Sequence, residues 1–180
     1  MQRTLVFGVV MCAGIVVAQD DLPEPQKAAA EHKFLKQFVG EWECENEAYL
    51  EPGKPPLRME STMTAHMIGD FWVVVDVKGD SAGQPYRGQA TFGYDSTKRK
   101  KYIGTWADSM SDFLWKYEGI VDGTKLVLDS EGPNPLDPER MMKARDTWDF
   151  KSENLIILTS EIEGPDGKMT LMMKASCKRK

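Results

Sequence analysis

A polar cluster, Trp106-Ala107-Asp108-Ser109, holds the residue types in this chain that are best suited to chemistry. If the segment is a β-strand, Asp108 shares a face with Trp106 and Tyr102, because side chains two residues apart point to the same side. A carboxylate beside aromatic rings can orient a polar group of a ligand or exchange a proton with it. The alternative is structural, with Asp108 and Ser109 ending the strand and binding backbone amides of the next turn.

Other catalytic and metal-binding patterns have little support in the sequence. His32 and His66 are the two histidines, and neither stands at a spacing typical of a metal site. Ser109 lacks the G-x-S-x-G elbow of a hydrolase nucleophile. The sequence therefore predicts no catalytic residue, no metal site and no cofactor. A convergent carboxylate pair stays open as an alternative, although strand acids are usually solvated, among Asp76, Asp108, Glu118, Asp146 and Asp149.

Methionine and aromatic residues recur at alternating positions and are the candidates for a pocket lining. Met59, Met63 and Met67 share one strand face, and the flexible thioether side chain suits a surface that adapts to varied ligands. The alternative is an ordinary core, since the interior of a small barrel is often filled by side chains. We predict ligand contacts, with Tyr94 and Asp108 as the polar groups, for Met63, Tyr94, Trp106, Asp108, Trp115 and Tyr117.

The alternation of apolar and polar residues also predicts the scaffold that positions these side chains. A period of two begins after Gly40 with Trp42 and Cys44 and recurs in about ten segments between Gly- and Pro-rich turns. No helical pattern separates the segments, which excludes parallel βαβ units. We predict a closed antiparallel up-and-down β-barrel, because closure removes free strand edges; a two-sheet sandwich is the alternative. A short helix is predicted within Gln26–Val39, and three prolines are expected to keep Gly132–Pro138 irregular.

The first and last strands of such a barrel are neighbours, and each of them carries one cysteine. Cys44 and Cys177 both fall on the predicted inward face. We predict that they lie close together. A disulfide is expected if the protein is exported and the Cα separation allows it, and two separate buried thiols are the alternative.

The first eighteen residues have the pattern of a secretory signal peptide, with Arg3, an apolar run and a small residue, Ala18, before the cut. A membrane anchor is the alternative, but a run of about 15 residues is short for a span, and no later run approaches the length needed. We therefore predict a signal peptide over 1–18, a lead-in over 19–30 and one barrel domain over 31–180, exported to the periplasm or the cell exterior. Losing Arg3 changes the formal net charge from −5 to −6. An acidic chain without a basic stripe argues against nucleic-acid binding.

Several short motifs follow one another in an order that resembles the lipocalin-like domain-of-unknown-function family 1579. They are H-x-x-L-x(4)-G-x-W (His32 to Trp42), Tyr86-Arg87-Gly88, Gly93-Tyr94-Asp95, Thr105 to Met110, Glu118-Gly119 and Gly164 to Lys168. The resemblance implies a calycin-type barrel over nearly the whole mature chain. It implies no activity, because no catalytic residues are established for the family.

Gly40-Glu41-Trp42 also resembles the lipocalin entry motif. This resemblance implies that Trp42 plugs one end of the barrel under the N-terminal helix. It further implies that a basic residue of the last strand packs on the indole ring, for which the candidates are Lys174, Lys178 and Arg179.

Together these patterns predict an exported barrel that binds a small apolar or amphipathic molecule without catalysis. One alternative is a hydrolase or isomerase with an inward acid near Trp106, for which Asp108 or Glu118 would show a raised pKa. The other is a filled structural barrel that acts through its surface.

Overall fold

Ten antiparallel strands form one closed barrel in which sequence neighbours pair and β1 also pairs with β10. The computed structural model describes residues 24–180 except 52, 82, 135, 136 and 165, so the predicted signal peptide lies outside the described residues. The predicted up-and-down barrel is confirmed. The strands are β1 (Gly40–Ala48), β2 (Leu57–Ile68), β3 (Trp72–Ser81), β4 (Gln84–Asp95), β5 (Lys101–Asp108), β6 (Trp115–Asp122), β7 (Lys125–Asn134), β8 (Asp137–Ser152), β9 (Leu155–Glu163) and β10 (Met169–Arg179).

Alternation in β1 shows how the sequence produces this wall. Trp42 and Cys44 are buried, whereas Glu41, Glu43 and Glu45 between them are exposed. Because successive side chains point to opposite faces of a strand, the acids face solvent and the apolar residues fill the barrel.

The N-terminal helix is shorter than the predicted Gln26–Val39. It comprises α1 (His32–Leu35) and a 3₁₀ turn, Lys36–Phe38. Leu35 and Phe38 are fully buried, whereas the polar and alanine residues before them have little apolar surface to pack. A short helix in water depends on packing of an apolar face. The helix therefore includes only the residues around Leu35 and Phe38. Within the described residues, no helix is long and apolar enough to cross a membrane.

The segment predicted to be irregular, Gly132–Pro138, is mostly strand. β7 continues to Asn134 and β8 begins at Asp137. The pairing shifts register between Pro133 and Asn134, and a β-bulge of this kind is where a strand tolerates a proline that cannot donate a backbone hydrogen bond.

Trp42 closes one end of the barrel as the resemblance implies. Its side chain is fully buried, and its Nε1 donates a hydrogen bond to the carbonyl of Phe38 at 2.9 Å. Of the three basic candidates, Arg179 packs on the ring, with its Cζ 4.0 Å from the ring centroid. The Arg179 guanidinium also donates to the carbonyls of Gln37 and Val39, so one cation joins the last strand, the plug and the helix.

A disulfide between Cys44 and Cys177 joins the first strand to the last, with Cα atoms 4.0 Å apart. Both side chains are buried inside the barrel, and the two residues are direct partners in the β1–β10 register. The bond closes a loop with a sequence separation of 133 residues, which greatly restricts the unfolded chain.

We expect the purified protein to be about 2 Da lighter than its reduced form, because the bond removes two hydrogen atoms. The double variant Cys44→Ala/Cys177→Ala is expected to lose about 2–4 kcal/mol of unfolding free energy, measured in urea. Reduced wild type is the matched control and should resemble the variant. An oxidised wild type no more stable than the double variant would contradict the prediction.

Candidate ligand-binding cavity

The half of the barrel away from the helix encloses a cavity of about 420 Å³. Its inner end is formed by Met63, Trp148 and the Cys44–Cys177 disulfide. It extends to the β3–β4 turn at the opposite end, where Ser81 lines it. A volume of this size lies within the range of small-molecule sites, so the interior is not a solid core.

Five of the six residues predicted to contact a ligand lie in the wall of this cavity. Trp106 and Asp108 lie on β5, Trp115 and Tyr117 on β6, and Met63 on β2. The rings of Trp106 and Trp115 are half-buried, and Tyr117 is almost completely buried. The structure thus brings these five side chains together around one space.

The sixth residue, Tyr94, does not line the cavity, so the structure places it apart from the other five. Tyr94 points inward but pairs with Tyr102 at the helix end of the barrel. Its ring lies 5.0 Å from that of Tyr102 and 5.8 Å from that of His32. The Tyr102 hydroxyl donates to the Glu31 carbonyl at 2.8 Å, and burial raises the pKa of Tyr102 to about 12. This aromatic group therefore holds the helix rather than a ligand.

Two glycines let the tryptophans lie flat against the wall. A Cβ at Gly88 would collide with the Trp106 ring, and a Cβ at Gly132 would collide with the Trp115 ring. Each ring covers the bare backbone of a neighbouring strand, a known way to stabilise a glycine in a sheet. Gly88, in the motif Tyr86-Arg87-Gly88, is therefore required for the packing of Trp106.

Asp108 has the structural role that we weighed as the alternative, although it also borders the cavity. It accepts hydrogen bonds from Trp106 Nε1 and from the Met110 backbone amide, both at 2.8 Å. Ser109 ties the same turn to β4, since its Oγ accepts from the Arg87 amide at 3.1 Å. Asp108 thus fixes the tryptophan ring and the loop that follows.

Of the other four acids considered for a carboxylate pair, Asp146 alone lines the same cavity as Asp108. Glu118 lies on the outer surface in ion pairs with Arg99 and Lys101, and the hydrogen bond from Lys101 lowers its pKa. The enzyme alternative required a raised pKa, so Glu118 does not fit it. Asp76 accepts from Gln89 on the outer face, and Asp149 is held by Thr124 and Lys151.

Asp146 lies inside the barrel, and the sequence analysis named it only as one of five acids that could form a carboxylate pair. Its carboxylate accepts a hydrogen bond from the Tyr117 hydroxyl at 2.8 Å and another from the side chain of Ser160. All three residues line the cavity. Burial raises the pKa of Asp146, and these two hydrogen bonds lower it only in part. Burial, together with the Asp146 charge, also raises the pKa of Tyr117.

A signal for Asp146 was present in the strand pattern. It lies in phase with Ala144, Trp148 and Phe150, which all point inward along β8. A charged residue in phase with an apolar face is unusual, and it marks an interior polar group.

We expect Asp146→Asn to stabilise the protein at pH 7. Because the folded carboxyl has the higher pKa, the folded state binds more protons than the unfolded state above about pH 4, and wild-type stability falls as the pH rises through that window. Asparagine does not titrate and can still accept from Tyr117. The unfolding free energy of the variant should therefore exceed that of wild type by on the order of 1 kcal/mol at pH 7, and by less at pH 4.

Urea unfolding at pH 4 and pH 7 measures this difference. Asp76→Asn, on the outer face of β3, is the matched control for removing one acid. The prediction is contradicted if Asp146→Asn becomes less stable relative to wild type between pH 4 and pH 7.

The charges around the cavity are all of one sign. Among the described residues that line it there are five acids and no lysine, arginine or histidine. Most of the remaining lining is apolar, and it includes methionines from β2, β8 and β10: Met59, Met63, Met142, Met172 and Met173.

Neither histidine belongs to this site. His32, the first residue of α1, is buried; its Nδ1 accepts from the Ala29 amide at 3.0 Å, and its ring meets that of Phe71 edge to face. His66 is exposed on β2. The described part of the chain contains no group of three or more His, Cys, Asp or Glu side chains that would hold a metal ion.

Comparison with known proteins supports the architecture. Residues 27–179 match the family described as "Protein of unknown function (DUF1579)". Rv2717c from M. tuberculosis has a similar structure, with a TM-score of 0.58 and 12% identity over 86% of this chain and 99% of that one. The S-type phycobiliprotein lyase CPES from Guillardia theta gives a TM-score of 0.55 and 14% identity over 87% and 98%. These likenesses show the fold alone, and no curated protein matches in sequence.

Proposed function

Given that this chain belongs to the DUF1579 family, whose description assigns no activity, we propose that it binds one small apolar or amphipathic molecule inside its barrel without catalysis. The observation that carries the proposal is the mostly apolar cavity of about 420 Å³. Burying apolar ligand surface there provides the driving force, at about 25 cal/mol per Å² before the costs of binding.

The construction of the barrel suits a binding protein. Trp42 and the helix seal one end, so a ligand enters from the end where Ser81 lines the cavity. Methionines in the wall adapt to ligands of different shape. Trp106 and Trp115 provide rigid flat surfaces, because each packs on a glycine.

Export to the periplasm or the cell exterior is part of the proposal. It is supported by the pattern of residues 1–18 and by the Cys44–Cys177 bond, because disulfides persist in oxidising compartments. An amino-terminus at residue 19 in the protein recovered from the oxidising compartment would support this part. A chain retained in the cytoplasm with residues 1–18 attached would overturn it.

Titration with Nile red, a neutral dye whose emission rises in apolar surroundings, tests the binding function. We expect saturable 1:1 binding, and displacement of the dye by the non-fluorescent ketone 2-decanone. Tryptophan emission should change in parallel, because Trp106, Trp115 and Trp148 line the cavity. The proposal is overturned if neither compound binds saturably to the folded protein.

A further inference from the structure

The wall of the cavity formed by β4, β5 and β6 combines two indole rings with a carboxylate. Trp106 pairs with Trp115 in the strand register, so these two inward side chains are direct neighbours. The Trp106 ring packs on Gly88 of β4, whereas the Trp115 ring packs on Gly132 of β7. The two rings therefore lean towards opposite sides, and each has one face on its glycine and the other turned to the cavity that both residues line.

Oxygen atoms border this aromatic surface. An Asp108 carboxylate oxygen lies 2.8 Å from Trp106 Nε1, at the edge of the ring, and Asp108 itself pairs with Gly88. The Tyr86 hydroxyl lies 3.1 Å from the position of a Cβ on Gly88, which the Trp106 ring also covers. Burial raises the pKa of Tyr86, and the charge of Asp108 raises it further. A carboxylate and a phenol thus lie beside the open face of Trp106.

The charges select the class of ligand that suits this wall. Because the described lining contains five acids and no lysine, arginine or histidine, a buried anion would have no compensating charge. The residues placed by the structure offer no group of three or more His, Cys, Asp or Glu side chains for a metal ion. An organic cation is attracted both by carboxylates and by the negative faces of aromatic rings, and such rings are a common means of binding alkylated ammonium groups.

The entrance to the cavity is acidic as well. The other acids of the lining besides Asp108 and Asp146 are Glu60, Asp80 and Glu161. Each of these three lies near the end of its strand on the open side of the barrel. A mouth with charges of one sign raises the local concentration of ligands of the opposite sign, so it favours the entry of a cation.

We infer that the cavity binds an amphipathic organic cation, whose alkylated ammonium group lies against the rings of Trp106 and Trp115 beside Asp108. This rests on the proposed binding function and adds the charge and the orientation of the ligand. The apolar chain extends from the ammonium group past Met63 towards the inner end of the cavity. Asp146 adds a second negative charge to the same space.

The test compares decyltrimethylammonium, 2-decanone and decanoate, which carry a ten-carbon chain and differ in charge. Affinity is measured by displacement of Nile red below the micelle concentration of each compound. We expect decyltrimethylammonium to bind at least about tenfold more tightly than 2-decanone, and decanoate to bind most weakly. Asp108→Asn keeps an oxygen that accepts from Trp106 Nε1. It should weaken decyltrimethylammonium by about five- to tenfold and leave 2-decanone unchanged.

A second variant tests the aromatic surface. Trp115→Leu should lower the ratio of decyltrimethylammonium affinity to 2-decanone affinity by about threefold or more, because leucine keeps an apolar contact but has no negative ring face. The matched controls are Asp76→Asn, on the outer face of β3, and Trp72→Leu, outside the cavity. Both should leave this ratio unchanged.

Tighter binding of 2-decanone or decanoate than of decyltrimethylammonium would overturn the inferred ligand class while supporting a binding cavity. An unchanged ratio in both Asp108→Asn and Trp115→Leu, with Nile red still bound, would have the same meaning. If Asp108→Asn does not fold, Trp115→Leu decides the question. Failure of Nile red and all three compounds to bind would overturn the binding function itself.

Discussion

Ala144→Phe is expected to reduce affinity for Nile red by about ten- to a hundredfold while the barrel stays folded. Ala144 lines the cavity from β8 and pairs with Ser130. A phenyl ring at this position would extend into the space that a ligand occupies. Overlap between the ring and a ligand in a packed interior costs about 1–3 kcal/mol or more, and each ~1.4 kcal/mol corresponds to tenfold in affinity.

The matched control is Ala107→Phe, which adds the same ring to an exposed position on β5. It should leave Nile red binding unchanged. Near-ultraviolet circular dichroism shows whether both variants keep the native packing. If Ala144→Phe binds the dye as tightly as wild type, the ligand does not occupy the interior.

Trp42→Ala is expected to lower the free energy of unfolding by about 3–5 kcal/mol, the usual cost of truncating a large buried aromatic side chain. The indole is fully buried, donates to Phe38 and lies under Arg179. Removing it leaves a cavity, an unpaired carbonyl and a cation without its aromatic partner. Since an ordinary domain has only about 5–15 kcal/mol of stability in total, the loss is large.

Trp72→Ala is the control for truncating a tryptophan outside the core. Trp72 is 37% exposed, and its ring covers Gly93. Its cost should be clearly smaller, about 1 kcal/mol. Equal losses in the two variants, measured by urea unfolding, would contradict the role of Trp42 as the plug of the barrel.

Local alternation was sufficient to predict the fold from the sequence. Trp42 and Cys44 alternate with Glu41 and Glu43, and this period of two fixes both the strand and its inward face. Closure followed from the need to pair every strand edge. The length of the helix was overestimated. Pro25 and Ala28 to Ala30 favour a helix locally, but burial of Leu35 and Phe38 decides where the helix begins and ends.

The site was only partly predictable, since alternation gives the direction of a side chain but not its depth in the barrel. Tyr94 and Trp106 both point inward, yet Tyr94 lies under the helix and Trp106 lines the cavity. Depth depends on strand register, which pairs Tyr94 with Tyr102 and Trp106 with Ala90. The interior position of Asp146 was not predicted, for another reason. It was grouped with exposed strand acids, although its neighbours in phase on β8 are apolar.

The position of the disulfide connects stability with the cavity. Cys44 and Cys177 join the strands that close the barrel, and their side chains form part of the inner end of the cavity. Restricting these two strands holds the floor of the pocket in one shape. A preformed pocket loses less conformational freedom when a ligand binds, which favours affinity.

The most direct test is native mass spectrometry of the oxidised protein after saturation with Nile red, with Ala144→Phe measured beside it. A binding barrel predicts one dye molecule per wild-type chain, released on denaturation, and the bare chain mass for the variant. A bare wild-type chain under saturating dye, or equal occupancy of wild type and Ala144→Phe, would contradict the claim that this barrel holds a small molecule inside.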